Sequence, residues 1–234
     1  MKRFYSTDIT NDTALLTEQE AHHAMHVLRC NNGDAVEVVN GNGACWQGII
    51  YSVGKREATI RELKLIEEIK ENPQLLTLAI APTKNTDRIE WAVEKITELG
   101  IKEIIITATS RTERSRINLN RLKSIVIAAM KQSGQLYLPA ISGITPIADI
   151  WKYPASQHFL AYCGENNEQN LFNLACQPGK SVIIAIGPEG DFTEKEVSAA
   201  EQAGWQAVGL GQSRLRVETA AVYSAAVVKV LNGF

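Results

Sequence analysis

The stretch Ser181-Val182-Ile183-Ile184-Ala185-Ile186-Gly187-Pro188-Glu189-Gly190 decides how this chain is read. Its first part is almost continuously apolar and rich in β-branched residues, too short for a helix, and it runs straight into a glycine-rich bend. A strand that is apolar at nearly every position has both faces covered, as in parallel sheets flanked by helices. Three other runs share the pattern: Leu75 to Ala81 (LLTLAIA), Glu103 to Thr107 (EIIIT) and His158 to Tyr162 (HFLAY). Helical periods lie between them. Asp87 to Leu99 carries Ile89, Ala92, Val93, Ile96 and Leu99 in one stripe and stops at Gly100, and Leu122 to Met130 repeats the period. Trp91 and Met130 fall in these segments and read as core. Thr193 opens a helix with Glu196 completing a capping box and Gly204 ending it, and a last helix spans about Val217 to Leu231. Strand-helix alternation of this kind predicts an α/β domain with a mostly parallel sheet.

Upstream the pattern differs. Residues 1 to about 70 read as strands and turns, with Asp34 to Asn40, Cys45 to Val53 and Glu57 to Leu65 as β-rich runs separated by glycine-containing turns. One helix interrupts them, Glu18 to Leu28, with Thr17 as N-cap, Glu20 as its capping-box partner, and Ala21, Ala24, Met25 and Leu28 on one face. This is a small β-barrel-like module. The charged run Glu67 to Asn72, broken by Pro73, separates a domain at 1–70 from one at 74–234.

With 234 residues, 45% hydrophobic and 21% charged, the chain has apolar mass for a sizeable core, which excludes disordered and fibrous classes. No apolar run approaches the roughly 18 to 20 residues of a membrane span, and MKRFYSTDIT turns polar too early for a signal peptide, so a cytoplasmic location and no membrane partner are expected. Cys30, Cys45, Cys163 and Cys176 show no zinc spacing and read as reduced thiols filling packing spaces. Lys and Arg number 24 against 26 Asp and Glu, so net charge predicts no polyanion partner. The distribution does: between Thr107 and Gln135 stand Arg111, Arg114, Arg116, Arg121, Lys123 and Lys131 against Glu113, a phosphate-facing surface in outline.

Ligands of open parallel sheets bind beyond the carboxyl ends of the strands. After Leu75 to Ala81 the chain reads Pro82-Thr83-Lys84-Asn85-Thr86-Asp87-Arg88, without the glycines of a dinucleotide fingerprint, which disfavours a nicotinamide oxidoreductase. Glycines cluster later, in Gly187-Pro188-Glu189-Gly190 and in Gly209-Leu210-Gly211. Either loop alone reads equally well as a tight turn; together, each closing a buried strand, they favour a site offering bare main chain to a flat heterocycle. Arg216 and Glu218 follow at the start of the last helix, although a first-turn acid there also has a purely helical reading. His22 and His26 have metal-compatible spacing but lack a third ligand nearby, so no metal is expected, and no Ser-His-Asp set or carboxylate dyad emerges.

These motifs resemble a family. Ile186-Gly187-Pro188-Glu189-Gly190, Leu210-Gly211 followed by Leu215-Arg216 and Glu218-Thr219-Ala220, the segment Glu94 to Ile101 and Thr112-Glu113-Arg114-Ser115 stand in the order of the bacterial 16S rRNA (uracil-1498 N3)-methyltransferases of the SPOUT superfamily. The helix around His22 to Arg29 and the turn at Gly33-Asp34 look like that family's PUA-like RNA-binding domain. The resemblance implies a PUA-like β-barrel followed by a SPOUT α/β domain with a deep C-terminal trefoil knot. It further implies a homodimer, S-adenosyl-L-methionine as cofactor and the 16S rRNA of the small ribosomal subunit as substrate.

Carried over by motif, the cofactor residues would be Tyr162, Gly164, Gly187, Pro188, Glu189, Gly190, Leu210, Gly211, Leu215, Arg216 and Thr219. Glu218 is the expected base, with Arg216 or Arg114 stabilising charge on the uracil oxygens. Arg3, His26, Arg29, Arg111, Arg114 and Arg116 would contact RNA, and Glu98, Gly100, Glu113, Gln132 and Gly134 match further family positions. The chain departs from the pattern at Asp191, where the family has a second glycine, at Lys131 and Gln135, and at Gln212-Ser213-Arg214. The competing readings are a SPOUT enzyme methylating ribose 2′-O or guanosine N1, and a non-catalytic ribosome-assembly factor.

Overall fold

The computed structural model describes residues 1–54, 56–114, 116–164 and 171–233. The chain divides into two compact units, Met1–Pro73 with Ile127–Leu138, and Gln74–Val126 with Pro139–Phe234.

The first unit is a six-stranded sheet in the order β1-β4-β5-β6-β3-β2. Its strands are β1 (Lys2–Tyr5), β2 (Asp8–Thr10), β3 (Thr13–Leu16), β4 (Ala35–Val39), β5 (Ala44–Val53) and β6 (Ala58–Glu68). β1 runs parallel to β4 and the other pairs are antiparallel. The hairpin of β2 and β3 lies in a stretch too short and polar to read as strand from pattern alone. Phe4, Ala14, Leu16, Val36, Val38, Ile50 and Ile60 form the core, closed by Ala21 and Ala24 of the helical segment.

That segment departs from expectation. Only α1 (Glu18–His22) is α-helical; His23–Val27 is a π-turn, with the Leu28 N–H donating to the His23 carbonyl at 3.0 Å. The wider turn rotates the apolar face, so Ala21 and Ala24 are buried while Met25 and Leu28 are only half-buried. The expected capping box is absent, because the Thr17 side chain makes no cap bond and Glu20 is engaged elsewhere. Its carboxylate accepts the Tyr5 N–H at 2.9 Å and the Lys131 ammonium at 2.5 Å. A nearly buried carboxylate with a charged partner and a main-chain donor outweighs a half-exposed cap.

The second unit carries β7 (Leu76–Ile80), β8 (Glu103–Ala108), β9 (Ala140–Pro146), β10 (Gln157–Ala161), β11 (Val182–Ile186) and β12 (Gln206–Val208). Their order is β12-β10-β11-β7-β8-β9, and every pair is parallel. β9, with Gly143 and a terminal proline, sits at an edge and was not legible as a strand. Its helices are α2 (Thr86–Glu98), α3 (Leu119–Ser133, whose second half clusters with the first unit), α4 (Ile147–Ile150), α5 (Phe172–Ala175), α6 (Glu194–Gln202) and α7 (Val217–Leu231). β7 and β11 are buried at every residue. Ile183 and Ala185 pack with Trp151, Phe192, Ala200 and Trp205 on one face, while α7 packs on β7 and β11 and against α2. Covering on both faces is what nearly continuous apolar strands require.

The capping box at Thr193 and Glu196 is present, and α7 has the expected limits. Trp91 is not core: it stands 46% exposed, about 200° around α2 from the buried Ile89. Met130 is fully buried, packed with Val39, Cys45 and Leu136 of the first unit.

Replacing Glu20 by alanine would leave the Lys131 ammonium and the Tyr5 N–H without their acceptor. Glu20→Ala is expected to destabilise the first unit by about 3 kcal/mol, read as a lower urea midpoint, and Glu20→Gln by less.

Candidate functional site

The register of the parallel sheet sets Ile80, Ile186, Ala161 and Val208 in one row across β7, β11, β10 and β12. All four are the last residues of their strands, or one step from it, so the chain leaves the sheet at one level and the loops open on one side. There they line a cavity of about 670 Å³, within the usual range for small-molecule sites.

Three loops and the start of α7 build the cavity. The loop after β10 contributes Tyr162, Cys163 and Gly164, the loop after β11 contributes Gly187 to Asp191, and the segment after β12 contributes Gly209 to Arg216. Main-chain bonds hold the loops in place: the Tyr162 N–H donates to the Val208 carbonyl at 3.1 Å and the Phe172 N–H to the Gly209 carbonyl at 3.0 Å. Glycine serves two purposes here. Gly211 adopts φ 123°, closed to ordinary side chains, with open space where a Cβ would stand. At Gly187 a Cβ would come within 3.1 Å of the Phe192 ring, so the residue also lets the bend pack closely on the core.

Of the residues expected to hold cofactor, Tyr162, Gly164, Gly187, Pro188, Glu189, Gly190, Leu210, Gly211, Leu215 and Arg216 line the cavity together. Thr219 does not; it is exposed on the next step of α7. Glu218 lines it too, its side chain only 12% exposed, and Arg88 of α2 faces it with Nε 3.7 Å from Oε1. Arg216, the N-cap of α7, makes no side-chain cap bond, so the first turn of the helix, with Glu218 in it, is left open to the cavity.

Arg114 is not among the lining residues; its guanidinium donates to the Lys84 carbonyl at 2.6 Å. Arg88 is a lining residue that the sequence did not single out, and Asp191, noted there only as a departure from the family pattern, lines the cavity too. Arg88 sits inside a helical period with no motif around it, and only folding brings it to Glu218. Cys163 is exposed at this cavity rather than filling a packing space, unlike the buried Cys30, Cys45 and Cys176.

A shallower cavity of about 550 Å³ adjoins, lined by Lys84, Ser110 to Glu113, Glu189 and Gly190. The basic segment is largely engaged in internal bonds there and beyond. Arg111 donates to the carbonyls of Gly190 at 2.7 Å and Phe192 at 3.3 Å, Arg121 pairs with Glu90 at 3.1 Å, and Lys131 pairs with Glu20. Arg116 and Lys123 are exposed. In the first unit Arg3 is held by Glu37 at 2.7 Å, while His26 and Arg29 are exposed, Arg29 at φ 48°. His22 and His26 stack with ring centroids 4.5 Å apart.

Glu196 anchors the wall behind the loop after β11. Its Oε2 accepts the Thr193 N–H and its Oε1 the Ser110 N–H, each at 2.8 Å. Burial opposes its ionisation, but the hydrogen bonds from Thr193 and Ser110 outweigh burial and hold the carboxyl below its ordinary range.

Residues 70–229 match the family model of the RNA methyltransferase domain, and residues 16–63 that of the RNA methyltransferase PUA domain. The chain is 31% identical to the Ribosomal RNA small subunit methyltransferase E of Rickettsia conorii over 93% of its own length and 89% of that protein. Among solved structures, a probable rRNA-methyltransferase from Porphyromonas gingivalis superposes with a TM-score of 0.86 at 34% identity, covering 99% of this chain and 98% of that one. A Ribosomal RNA small subunit methyltransferase E from Neisseria gonorrhoeae, bound to S-adenosyl methionine, superposes with a TM-score of 0.84 at 26% identity and the same coverage.

Because the Glu196 carboxyl is easier to ionise folded than unfolded, its stabilisation is complete above the unfolded value near pH 4.3 and is lost as pH falls through the lower folded value. Glu196→Gln should therefore be less stable than the parent at pH 7, with the difference shrinking below about pH 4, as thermal melts across that range would record.

Proposed function

The chain belongs to the RNA methyltransferase domain family, and within it we propose that the target is N3 of one uridine, 1498 in the usual numbering, in 16S rRNA. It is an S-adenosylmethionine-dependent methyltransferase acting on small-subunit ribosomal RNA. The single observation behind the site assignment is the convergence of three strand-end loops and the start of α7 on one cavity.

The cavity suits the cofactor's chemistry. Main chain without a Cβ at Gly211 can lie against a flat base. Glu189, Arg88 and Arg216 offer charge of both signs to an amino-acid end. The residues proposed to hold it are Tyr162, Gly164, Gly187 to Gly190, Leu210, Gly211, Leu215 and Arg216, with Thr219 at the margin. When bound, S-adenosylmethionine supplies a methyl group already activated by its sulfonium.

The chain's own task is to hold uracil in line and take the N3 proton. Orientation of this kind is worth roughly 7 to 11 kcal/mol of a barrier. Glu218 accepts the proton, Arg88 beside it sets the direction of the carboxylate, and Arg216 stabilises charge on a uracil oxygen. Arg114, bonded to the Lys84 carbonyl, would act on this step from outside the lining.

RNA backbone contacts are assigned to Arg3, His26, Arg29, Arg111, Arg114 and Arg116. Exposure at His26, Arg29, Arg111 and Arg116 supports this, and Arg3 would act alongside its partner Glu37. We take 1–70 as the RNA-binding domain, folded as a β-barrel, and 74–234 as the SPOUT domain. Insertion of β11 between β7 and the earlier β10 supports a deep trefoil knot near the C-terminus. Exposed Leu174 of α5 and Val230 of α7 support a homodimer. Among the described residues no helix is long and apolar enough to cross a membrane, and ribosomal RNA as substrate supports a cytoplasmic location.

Incubation with labelled cofactor and small subunits from an unmethylated strain should place label on N3 of that uridine. Label on a ribose 2′-oxygen or on guanosine N1 would instead identify a different specificity. Glu218→Gln is expected to slow single-turnover methylation by about 10²- to 10⁴-fold with calorimetric cofactor affinity unchanged; a normal rate would remove Glu218 from the role.

A further inference from the structure

We propose that the Asp191 carboxylate latches the loop after β10 to the loop after β11, and so holds one wall of the methyl-donor pocket in its binding shape. Asp191 is thus a positioning residue, and its role rests on the reading of the cavity as a methyl-donor site.

β10 pairs with β11 as far as Ala161 and Ile186, and with β12 as far as Ala161 and Val208. In a parallel strand successive N–H groups point to opposite neighbours. The Tyr162 N–H keeps that pattern by donating to the Val208 carbonyl of β12. The Cys163 N–H should then find a carbonyl on the β11 side, but the chain has already turned away at Gly187-Pro188. Asp191 Oδ2 takes the place of that carbonyl and accepts the Cys163 N–H at 3.1 Å. One more rung is added where the main-chain ladder has ended, between two residues that both line the cavity.

The backbone of Asp191 is arranged for this. It has φ 62°, the left-handed region, which strains most side chains and which aspartate tolerates better than most. Its N–H donates to the Pro188 carbonyl at 2.9 Å, and its Oδ1 accepts the Phe192 N–H at 2.8 Å. One carboxylate oxygen therefore secures its own turn while the other reaches the neighbouring loop. Glycine at 191 would satisfy the backbone with less strain and leave the Cys163 N–H to water. Strain relief and loss of the latch then act in opposite directions, which a purely structural role would not do.

The test measures binding of S-adenosylhomocysteine, whose sulfur is uncharged, to the full chain by calorimetry, alongside the melting temperature of the free protein. Asp191→Gly is expected to weaken binding about three- to tenfold with a melting temperature unchanged or raised. Asp191→Asn tolerates left-handed backbone but offers one acceptor oxygen to the two N–H groups of Cys163 and Phe192, so it is expected to bind between the parent and Asp191→Gly. The proposal is overturned if Asp191→Gly binds as well as the parent, if Asp191→Asn binds more weakly than Asp191→Gly, or if affinity and melting temperature fall together. A parent chain that binds no S-adenosylhomocysteine would instead refute the methyl-donor reading of the cavity.

Discussion

The site depends on one geometric constraint: β10, β11 and β12 run parallel and in a register that ends them on a common row. Because Ala161, Ile186 and Val208 are aligned, three loops from well-separated parts of the chain leave the sheet on the same side at the same height. An antiparallel neighbour would have sent one of those loops to the opposite edge. Everything chemical in the cavity follows from that convergence, since none of the loops alone encloses a space.

The charged residues around these loops serve largely to hold them in place. A run of arginines and lysines reads in sequence as a surface for phosphate, yet much of that charge is turned inward. Arg111 ties its own loop to Gly190 and Phe192, Arg114 caps the Lys84 carbonyl, and Glu196 holds Ser110 while closing α6. Glu189 accepts the Lys84 N–H at 3.3 Å, and Arg88 pairs with Glu218. Such bonds rigidify the loops, as a preformed ligand site demands. The departures from the family pattern make sense in these terms: Asp191, standing where glycine is usual, carries a side chain that works between two loops, and Lys131 neutralises the buried Glu20 within the first unit.

Much of the architecture is legible in the amino-acid sequence. The buried strands β7, β8, β10 and β11, the stripe of α2, the capping box of α6 and the limits of α7 follow from apolar run length, helical period and local caps, which are short-range properties. The glycine bends after β11 and β12 were visible as loops for the same reason, and only the fold shows that Gly187 also packs closely on Phe192. Local reading failed where a distant partner competed. Thr17 and Glu20 have the spacing of a capping box, but Lys131 lies more than a hundred residues away in sequence and takes the carboxylate. Trp91 looks apolar enough for the core, yet helix phase turns it to solvent.

The sequence by itself therefore determined the fold class, the main strands and helices of the sheet and the loops able to expose main chain, because hydrophobic period, turn chemistry and capping act within a few residues. Only the tertiary structure decided which side chains share the cavity. Arg88 meets Glu218 and Asp191 meets Cys163 because strand register and sheet order bring remote segments to one edge, and that pairing is long-range information no local pattern contains.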